Sequence, residues 1–117
     1  MIPSVNSTIS ALQAYKTRLG VTADNIANAN TDEFKKSRAT LKEGTNGDVQ
    51  VDINRVNIPG HRYQELEGDQ LVEKESSNVN LEEEIPGMMV TQRTFEANLK
   101  VLQTQDKMSG TLLDIMG

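Results

Sequence analysis

The chain has no cysteine, no tryptophan and few aromatic residues of any kind. Without cysteine it can form neither a disulfide nor a thiolate metal site, whichever redox compartment it occupies. The aromatic side chains that could anchor a core are limited to Tyr15, Phe34, Tyr63 and Phe95. A chain of 117 residues with this composition is expected to have a thin core and to gain stability by association.

A broad basic field and a long apolar run are also absent. The net charge is −5 and the pI is near 4.8, which argues against nucleic acid as a partner, since that binding needs many cations. No run approaches the roughly 18 apolar residues of a membrane span, so no membrane insertion is expected. The first ten residues also lack the basic start and continuous apolar stretch of a secretory signal.

Apolar residues recur at intervals of three and four along residues 2–29, which predicts an amphipathic helix with a heptad seam. The seam positions are Ile2, Val5, Ile9, Leu12, Leu19, Ala23 and Ile26. Asn28 and Asn30 favour turns, so the helix is predicted to end near Ala29. Two readings of Gly20 stay open: a tolerated loss of about 1 kcal/mol relative to alanine, or close approach of a neighbouring helix.

Residues 31–76 predict a small β region without a core of its own. A turn at Asn46-Gly47 is followed by apolar residues that alternate with polar ones, which indicates a hairpin with Val49, Val51 and Ile53 on one face. Pro59-Gly60 predicts a second turn. One further strand is expected from Tyr63, Leu66, Leu71 and Val72.

A second long helix is predicted over residues 81–115. Serine and asparagine in residues 76–80 can cap it, and Glu82, Glu83 and Glu84 fall in its first turn, where the positive helix end favours acids. Its apolar stripe runs along Leu81, Ile85, Met88, Phe95, Leu99 and Leu102, then shifts to Val101, Met108, Leu112 and Ile115. Pro86 forfeits one backbone hydrogen bond, so it is predicted to kink or restart the helix.

These patterns together predict an α+β fold. Two long terminal helices form a coiled-coil-like antiparallel pair, with a short β-hairpin region between them. The expected division is an N-terminal helix in residues 1–30, a β-rich middle in residues 31–76 and a C-terminal helix in residues 77–117. Each helix can bury only one stripe within a monomer, so the remaining apolar surface needs a partner subunit.

Residues 23–36, ADNIANANTDEFKK, resemble the N-terminal motif of the bacterial flagellar axial proteins, the rod, hook and hook-associated family. Residues 77–85, SNVNLEEEI, and residues 91–98, TQRTFEAN, with Leu112-Leu113, resemble the C-terminal helix motif of the same family. The sequence departs from the family where Asp32-Glu33-Phe34 replaces the common Pro-Gly and Tyr. It departs again at Ile85-Pro86-Gly87, which interrupts the C-terminal helical run.

The resemblance implies a structural subunit of the flagellar basal-body rod, of the proximal rod type, which forms part of the drive shaft for motility. Its partners would be copies of itself and other rod subunits. It also implies export by the flagellar type III apparatus without a cleaved signal peptide, and a location in the basal body, spanning the periplasm. The alternative is a soluble helical adaptor or export-chaperone-like binding module, which would stay in the cytosol.

Two sets of candidate residues follow. The predicted assembly interface comprises Ile9, Leu12, Leu19, Ile26, Phe95, Leu99, Leu102 and Leu112. The motif residues, whose small or amide side chains suit close packing and backbone hydrogen bonds, are Asn25, Ala27, Asn28, Asn30, Asn78, Asn80, Gln92 and Asn98.

No catalytic, cofactor-binding or metal-binding residue is predicted. His61 is the one histidine and has no acid beside it in sequence. The three consecutive glutamates at 82–84 point about 100° apart on a helix, so they cannot converge on one ion. The basic patch Lys35, Lys36, Arg38 and Lys42 is expected to be a solvated edge, with contact to phosphate or acidic polymer as the less favoured reading.

Overall fold

The computed structural model describes the backbone of residues 2–117 and the side chains from Val5 onward. Met1 and the side chain of Ile2, the first predicted seam position, lie outside the described residues. The described chain consists of helix α1 (Ile2–Ala27), strands β1 (Ser37–Glu43), β2 (Val49–Arg55), β3 (Arg62–Glu67) and β4 (Gln70–Glu75), and helix α2 (Leu81–Met116). The predicted α+β class, with a helix at each end and strands between, is confirmed.

The two helices pack side by side in opposite directions. Val5, near the start of α1, lines one cleft with Leu102 and Asp106 of α2, while Asn25, near the end of α1, lines another with Glu83. At about 1.5 Å per residue, the 36 residues of α2 extend well past the 26 residues of α1. The molecule is therefore elongated, with extents of 82 × 25 × 18 Å.

Strands β1 and β2 form the hairpin predicted at Asn46-Gly47. The pairing is antiparallel, with Leu41 opposite Val51. The turn is closed by a 2.7 Å bond from the Gly44 N–H to the Asp48 carbonyl. Glycine suits position 47 because φ there is +76°. Strands β1 and β2 both pack against α1, which half-buries Leu41 and Val51.

The prediction of one further strand from residues 63–72 was wrong, because the structure forms two. Strands β3 and β4 pair antiparallel, with Leu66 opposite Leu71, and turn at Gly68, where φ is +64°. Glutamates on both sides of this turn leave few apolar residues, so the period-two pattern that marks a strand is weak. The Gly68-Asp69 pair is the local sequence feature that favours a turn between the two strands.

The helix ends differ in small ways from the prediction. Helix α1 ends at Ala27, two residues before the predicted Ala29, and the Asn28 N–H still reaches the Asp24 carbonyl at 3.1 Å. Helix α2 begins at Leu81 as predicted and runs unbroken through Pro86, so of the kink or restart predicted there, the restart does not occur. A proline this near a helix start removes one hydrogen bond, which the long remainder of the helix tolerates.

Among the described side chains, Ala14 is the one hydrophobic residue that is buried, at 3% exposure. The other buried residues are polar, namely Thr8, Thr22, Asn25, Lys36, Ser77, Asn78 and Thr91. Small residues such as Ala14 and Thr91 let helices approach closely. The larger apolar side chains are consequently at the edge of this contact or outside it.

Candidate functional site: the asparagine junction and the outer apolar stripes

The end of α1 is joined to the start of β1 by the side chain of Asn25. Its Nδ2 donates to the Ser37 carbonyl at 2.8 Å, and its Oδ1 accepts from the Ser37 N–H at 3.0 Å. The amide thus satisfies both backbone groups of one strand residue, as a paired strand would. Asn25 is 1% exposed, so water does not compete for these bonds.

Asn78 makes a second set of such bonds just before α2. Its Oδ1 accepts from the Lys36 N–H at 2.7 Å, and its Nδ2 donates to the carbonyls of Val56 and Ile58 at 2.8 and 2.9 Å. One buried amide therefore ties together the start of β1, the loop after β2 and the entry to α2. We call this meeting point, organised by Asn25 and Asn78, the asparagine junction.

A charged pair closes the side of the junction next to β4. The Lys35 ammonium donates to the Glu75 carboxylate, whose same oxygen accepts from the Gly60 N–H at 2.7 Å. The Lys35 bond, assisted by the Gly60 N–H, lowers the pKa of Glu75 from its ordinary value. Gly60 is required here because a Cβ at this position would lie 1.9 Å from the Ser76 carbonyl oxygen.

The loop between α1 and β1 departs from the family motif and supports the base of the second hairpin. The Tyr63 hydroxyl donates to Asp32 at 2.6 Å, and this bond raises the pKa of Tyr63. The Glu33 N–H donates to the Glu75 carbonyl at 2.9 Å, with Glu33 itself at φ +64°. This left-handed conformation is uncommon for a residue other than glycine.

Lys36 links the junction to the second helix. It is buried, and its Nζ lies 3.7 Å from a carboxylate oxygen of Glu83 in the first turn of α2. All three glutamates at 82–84 lie in that first turn. Lys36 therefore belongs to the packed interior, unlike the solvated edge expected for the basic patch. Lys42, in contrast, is exposed and pairs with Asp52 at 2.7 Å.

The remaining motif residues do not converge on one site. Asn28 donates to the Asp24 carbonyl and accepts from the Thr31 hydroxyl, while Asn98 donates to the Thr94 carbonyl within α2. Asn80 occupies the N-cap position of α2, where its backbone carbonyl accepts from Glu83 and Glu84, but its side chain forms no capping hydrogen bond. The side chains that are simply exposed are those of Ala27, Asn30 and Gln92.

The sequence did not predict that four further residues form hydrogen bonds at the junction, namely Lys35, Ser37, Gly60 and Glu75. Pro59-Gly60 predicted a turn, but no local signal links it to an acid 15 residues later. Ser37 contributes only backbone groups, which any residue type provides. Among the described residues, no group of histidine, cysteine or acidic side chains is arranged to hold a metal ion.

The predicted interface residues fall into two groups by the solvent exposure of their side chains. Leu12, Leu19, Ile26, Phe95 and Leu102 are half-buried at the edge of the helix pair, whereas Ile9, Leu99 and Leu112 are exposed. Further large apolar side chains join the exposed group. We call this group the outer apolar stripes: Ile9, Leu81, Ile85, Met89, Val90, Leu99, Val101, Met108, Leu112, Leu113, Ile115 and Met116.

Exposure rises toward the end of α2 that extends past α1. Leu112 is 49% exposed and Ile115 is 76% exposed, although both are large and apolar. Large exposed apolar patches of this kind are characteristic of interaction surfaces. Neither described helix is long and apolar enough to cross a membrane.

Comparison with known proteins identifies both ends of the chain. Residues 74–115 match the family described as flagellar basal body rod FlgEFG protein C-terminal, and residues 6–35 match the family described as flagella basal body rod protein. Together the two matches cover more than half of the chain. They include Asn25 and Asn78, the two asparagines of the junction, and most of both helices.

A relative, flagellar basal-body rod protein FlgG of Bacillus subtilis (strain 168), is 49% identical over 43 residues. That alignment covers 37% of this chain and 16% of the relative, so the similarity spans about a sixth of the relative's length. The two family matches, both to flagellar rod protein families, agree with this similarity. The chain belongs to the flagellar basal-body rod protein family.

Proposed function

We propose that this chain is a structural subunit of the flagellar rod that assembles with copies of itself and with other rod subunits through the outer apolar stripes. The observation that carries the proposal is how little large apolar surface the subunit buries. Among the described side chains of α1 and α2, the buried ones are threonine, alanine and asparagine, whereas the large apolar ones are half-buried or exposed.

The energetics favour this reading. Burial of apolar surface contributes about 25 cal/mol per Å², so covering a half-exposed leucine or isoleucine contributes on the order of 1 kcal/mol. The outer apolar stripes contain a dozen large apolar side chains, with Ile9 on α1 and the other eleven along α2. Neighbouring helices that cover them provide enough driving force for assembly after the entropy cost of association is met.

The asparagine junction would give each subunit a fixed shape. Buried amide bonds from Asn25 and Asn78 hold the strands at a set angle to the helix pair, and a drive shaft needs such stiffness to transmit torque. We therefore assign residues 1–30 and 77–117 to assembly and residues 31–76 to a projecting middle region. The proposal includes no catalytic, metal or cofactor role.

The same proposal covers how the subunit reaches the rod. Rod proteins function in a structure that spans the periplasm, so the chain would be exported by the flagellar type III apparatus without a cleaved signal peptide. The family resemblance of both helices supports this route. Partner contacts in the cytosol would then be transient, and the stable partners would be rod subunits.

The test is a gene deletion in a flagellated host, complemented with the tagged wild-type chain. The proposal expects the complementing chain in extracted basal bodies, and deletion should leave basal bodies without rod and hook under the electron microscope. A chain found only in the cytosol, with intact rods in the deletion strain, would instead support the adaptor or export-chaperone reading and overturn the proposal.

A further inference from the structure

The hairpin formed by β3 and β4 stands apart from the rest of the subunit. Within the described chain, neither strand packs against a helix or against β1 and β2. It is held only at its base, by the Tyr63 bond to Asp32 and by the bonds around Glu75. An isolated two-stranded hairpin is marginally stable in water, so a surface that covers it would stabilise it.

This hairpin has a net charge of −3, because residues 62–75 contain five acids and two bases. Residues 65–73 contain the acids Glu65, Glu67, Asp69 and Glu73 and no base, in a chain whose net charge is −5. Lys74 at the base pairs with Glu65 and Glu67 at 2.6 and 3.0 Å. Glu73 lies 3.6 Å from the Arg62 guanidinium in an exposed ion pair, and Asp69, at the turn, has no ion-pair partner among the described residues. We call residues 62–75 the acidic arm.

The tip of the acidic arm is also apolar. Leu66 and Leu71 lie directly opposite each other across the two strands, next to the turn. They are 65% and 66% exposed. Because successive strand residues point to opposite faces, Glu73 shares the face of this leucine pair. That face, with Asp69 at the turn beside it, would bind a surface that offers both apolar contact and cations.

Helix α2 of this chain has such a surface on its outer side. The side of α2 that faces the rest of its own subunit carries Thr91, Asn98 and Gln105, which recur every seven residues. A basic residue follows each of them two positions later. Two residues correspond to about 200° of rotation around a helix, so these bases lie on nearly the opposite side of α2. The resulting basic ridge, opposite the helix contact, consists of Arg93, Lys100 and Lys107.

The basic ridge is free to bind acids. Its three side chains are exposed and form no ion pair with any other described residue. Val101 and Met108 each follow a ridge lysine directly in the chain and are 46% and 55% exposed, so apolar surface borders the cations. The acidic arm does not contact α2 of its own chain, so only another molecule can bring the two surfaces together.

We propose that the acidic arm of one subunit docks on the basic ridge of a second copy of this chain. Its acids pair with Lys100 and Lys107, and its leucine pair covers Val101 and Met108. The two surfaces differ, so the contact is heterologous and propagates as an open row of subunits. This inference rests on the proposed function, to which it adds one specific contact that covers two members of the outer apolar stripes, Val101 and Met108.

Charge reversal tests the contact in purified full-length protein. The arm variant combines Asp69→Lys with Glu73→Lys, and the ridge variant combines Lys100→Glu with Lys107→Glu. Sedimentation velocity over a concentration series should show that wild type associates and that each variant alone associates at least about tenfold more weakly. An equimolar mixture of the two variants should associate like wild type, because each reversed surface then meets its complement.

Two controls accompany this measurement. Glu43→Lys removes an exposed acid from the other hairpin and should leave association within about twofold of wild type. Circular dichroism should give equal helix content for all variants, since every altered side chain is exposed. Added salt should weaken wild-type association, because surface ion pairs are screened.

Several results would overturn the inference. They are a wild-type chain that stays monomeric, a single variant that associates normally, or a mixture no stronger than its components. The proposed function is tested separately, by incorporation of the variants into rods in cells. If arm and ridge variants build normal rods while Leu112→Asp does not, the docking contact fails and the structural role of the outer apolar stripes stands.

Discussion

Asn78 accepts a 2.7 Å hydrogen bond from the Lys36 backbone N–H, 42 residues earlier in the chain. The same amide donates to two carbonyls of the loop after β2. Residues that lie in the two separate family motifs are thereby joined directly. The motifs at the two ends of the chain form one structural unit because their asparagines hold the strands and the second helix together.

Replacement of Asn25 by alanine should destabilise the monomer by about 2 to 4 kcal/mol. The change leaves the N–H and C=O of Ser37 without partners in a site that excludes water, at about 1 to 3 kcal/mol per group. Urea unfolding of dilute protein, followed by circular dichroism, measures the loss. Asn30→Ala, at an exposed position, should change stability by no more than about 0.5 kcal/mol, and a similar loss in both variants would contradict the role given to Asn25.

Two glycine-to-alanine changes should act in opposite directions. Gly60→Ala places a methyl group 1.9 Å from the Ser76 carbonyl oxygen, so the loop must move and the bonds to Glu75 weaken. Gly20→Ala has open space around the new methyl group and should stabilise α1 by about 0.5 to 1 kcal/mol. Thermal unfolding of the two variants and of wild type measures both changes in stability. A stabilised Gly60→Ala variant would show that the close backbone approach does not exist.

The Gly20 result also bears on the two readings left open by the sequence. Nothing in the described chain approaches the space where its Cβ would lie. Within the subunit, Gly20 is therefore a tolerated helix glycine. The other explanation, close approach of a helix from a neighbouring subunit, has its own test. If Gly20→Ala stabilises the monomer but the variant no longer assembles into rods, a neighbouring subunit packs against Gly20.

The stability of the monomer should fall in acid partly because of Glu75. Its pKa is lower in the folded chain than the ordinary carboxyl value of about 4.3, so its contribution is fully present above that value. It is lost as the pH falls through the lowered pKa, when the carboxylate is protonated. Glu75→Gln should therefore flatten the acid side of the stability profile, and Lys35→Gln should flatten it too by removing the main cause.

Unfolding by urea at a series of pH values from neutral to strongly acidic measures this effect. The double variant Glu75→Gln with Lys35→Gln should show no further flattening beyond Glu75→Gln alone, because the two groups act as one pair. An unchanged acid slope in Glu75→Gln would mean that the Lys35 and Gly60 bonds do not hold this carboxylate in solution.

Local signals in the sequence predicted the elements, whereas the contacts between distant elements could not be derived from it. The acids at 82–84 and the Ser/Asn run before them located the start of α2 at Leu81, because the residue preferences of a helix start are local, even though Asn80 forms no side-chain capping bond. Asn46-Gly47 located the first hairpin for the same reason. The second hairpin was missed because Glu65, Glu67 and Glu73 leave no apolar alternation to detect.

The packing of the two helices is a second feature that the sequence alone did not predict. Heptad spacing showed that Leu99 and Leu112 lie on an apolar stripe, but spacing alone does not say which side of a helix faces its own chain. The structure puts small residues such as Thr22 and Thr91 in that contact, because they allow the closest backbone approach. The charged pair of Lys35 and Glu75 joins residues 40 positions apart, and no local pattern marks such a pair.

Incorporation of a Leu112→Asp chain into rods tests the central claim most directly. Leu112 is 49% exposed in the subunit, so the purified variant should fold and unfold like wild type. In the assembled rod the same side chain would be covered, and a buried unpaired carboxylate is strongly unfavourable. Gln103→Asp, at an exposed polar position of the same helix, is the matched control, and His61→Ala tests for any role of the one histidine.

The measurement is electron microscopy and immunoblotting of basal bodies from a deletion strain complemented with each chain. The account predicts that Leu112→Asp is absent from basal bodies, which lack rods and hooks, while Gln103→Asp and His61→Ala restore both structures and swimming. Normal rods containing the Leu112→Asp chain would contradict the claim that the outer apolar stripes drive assembly.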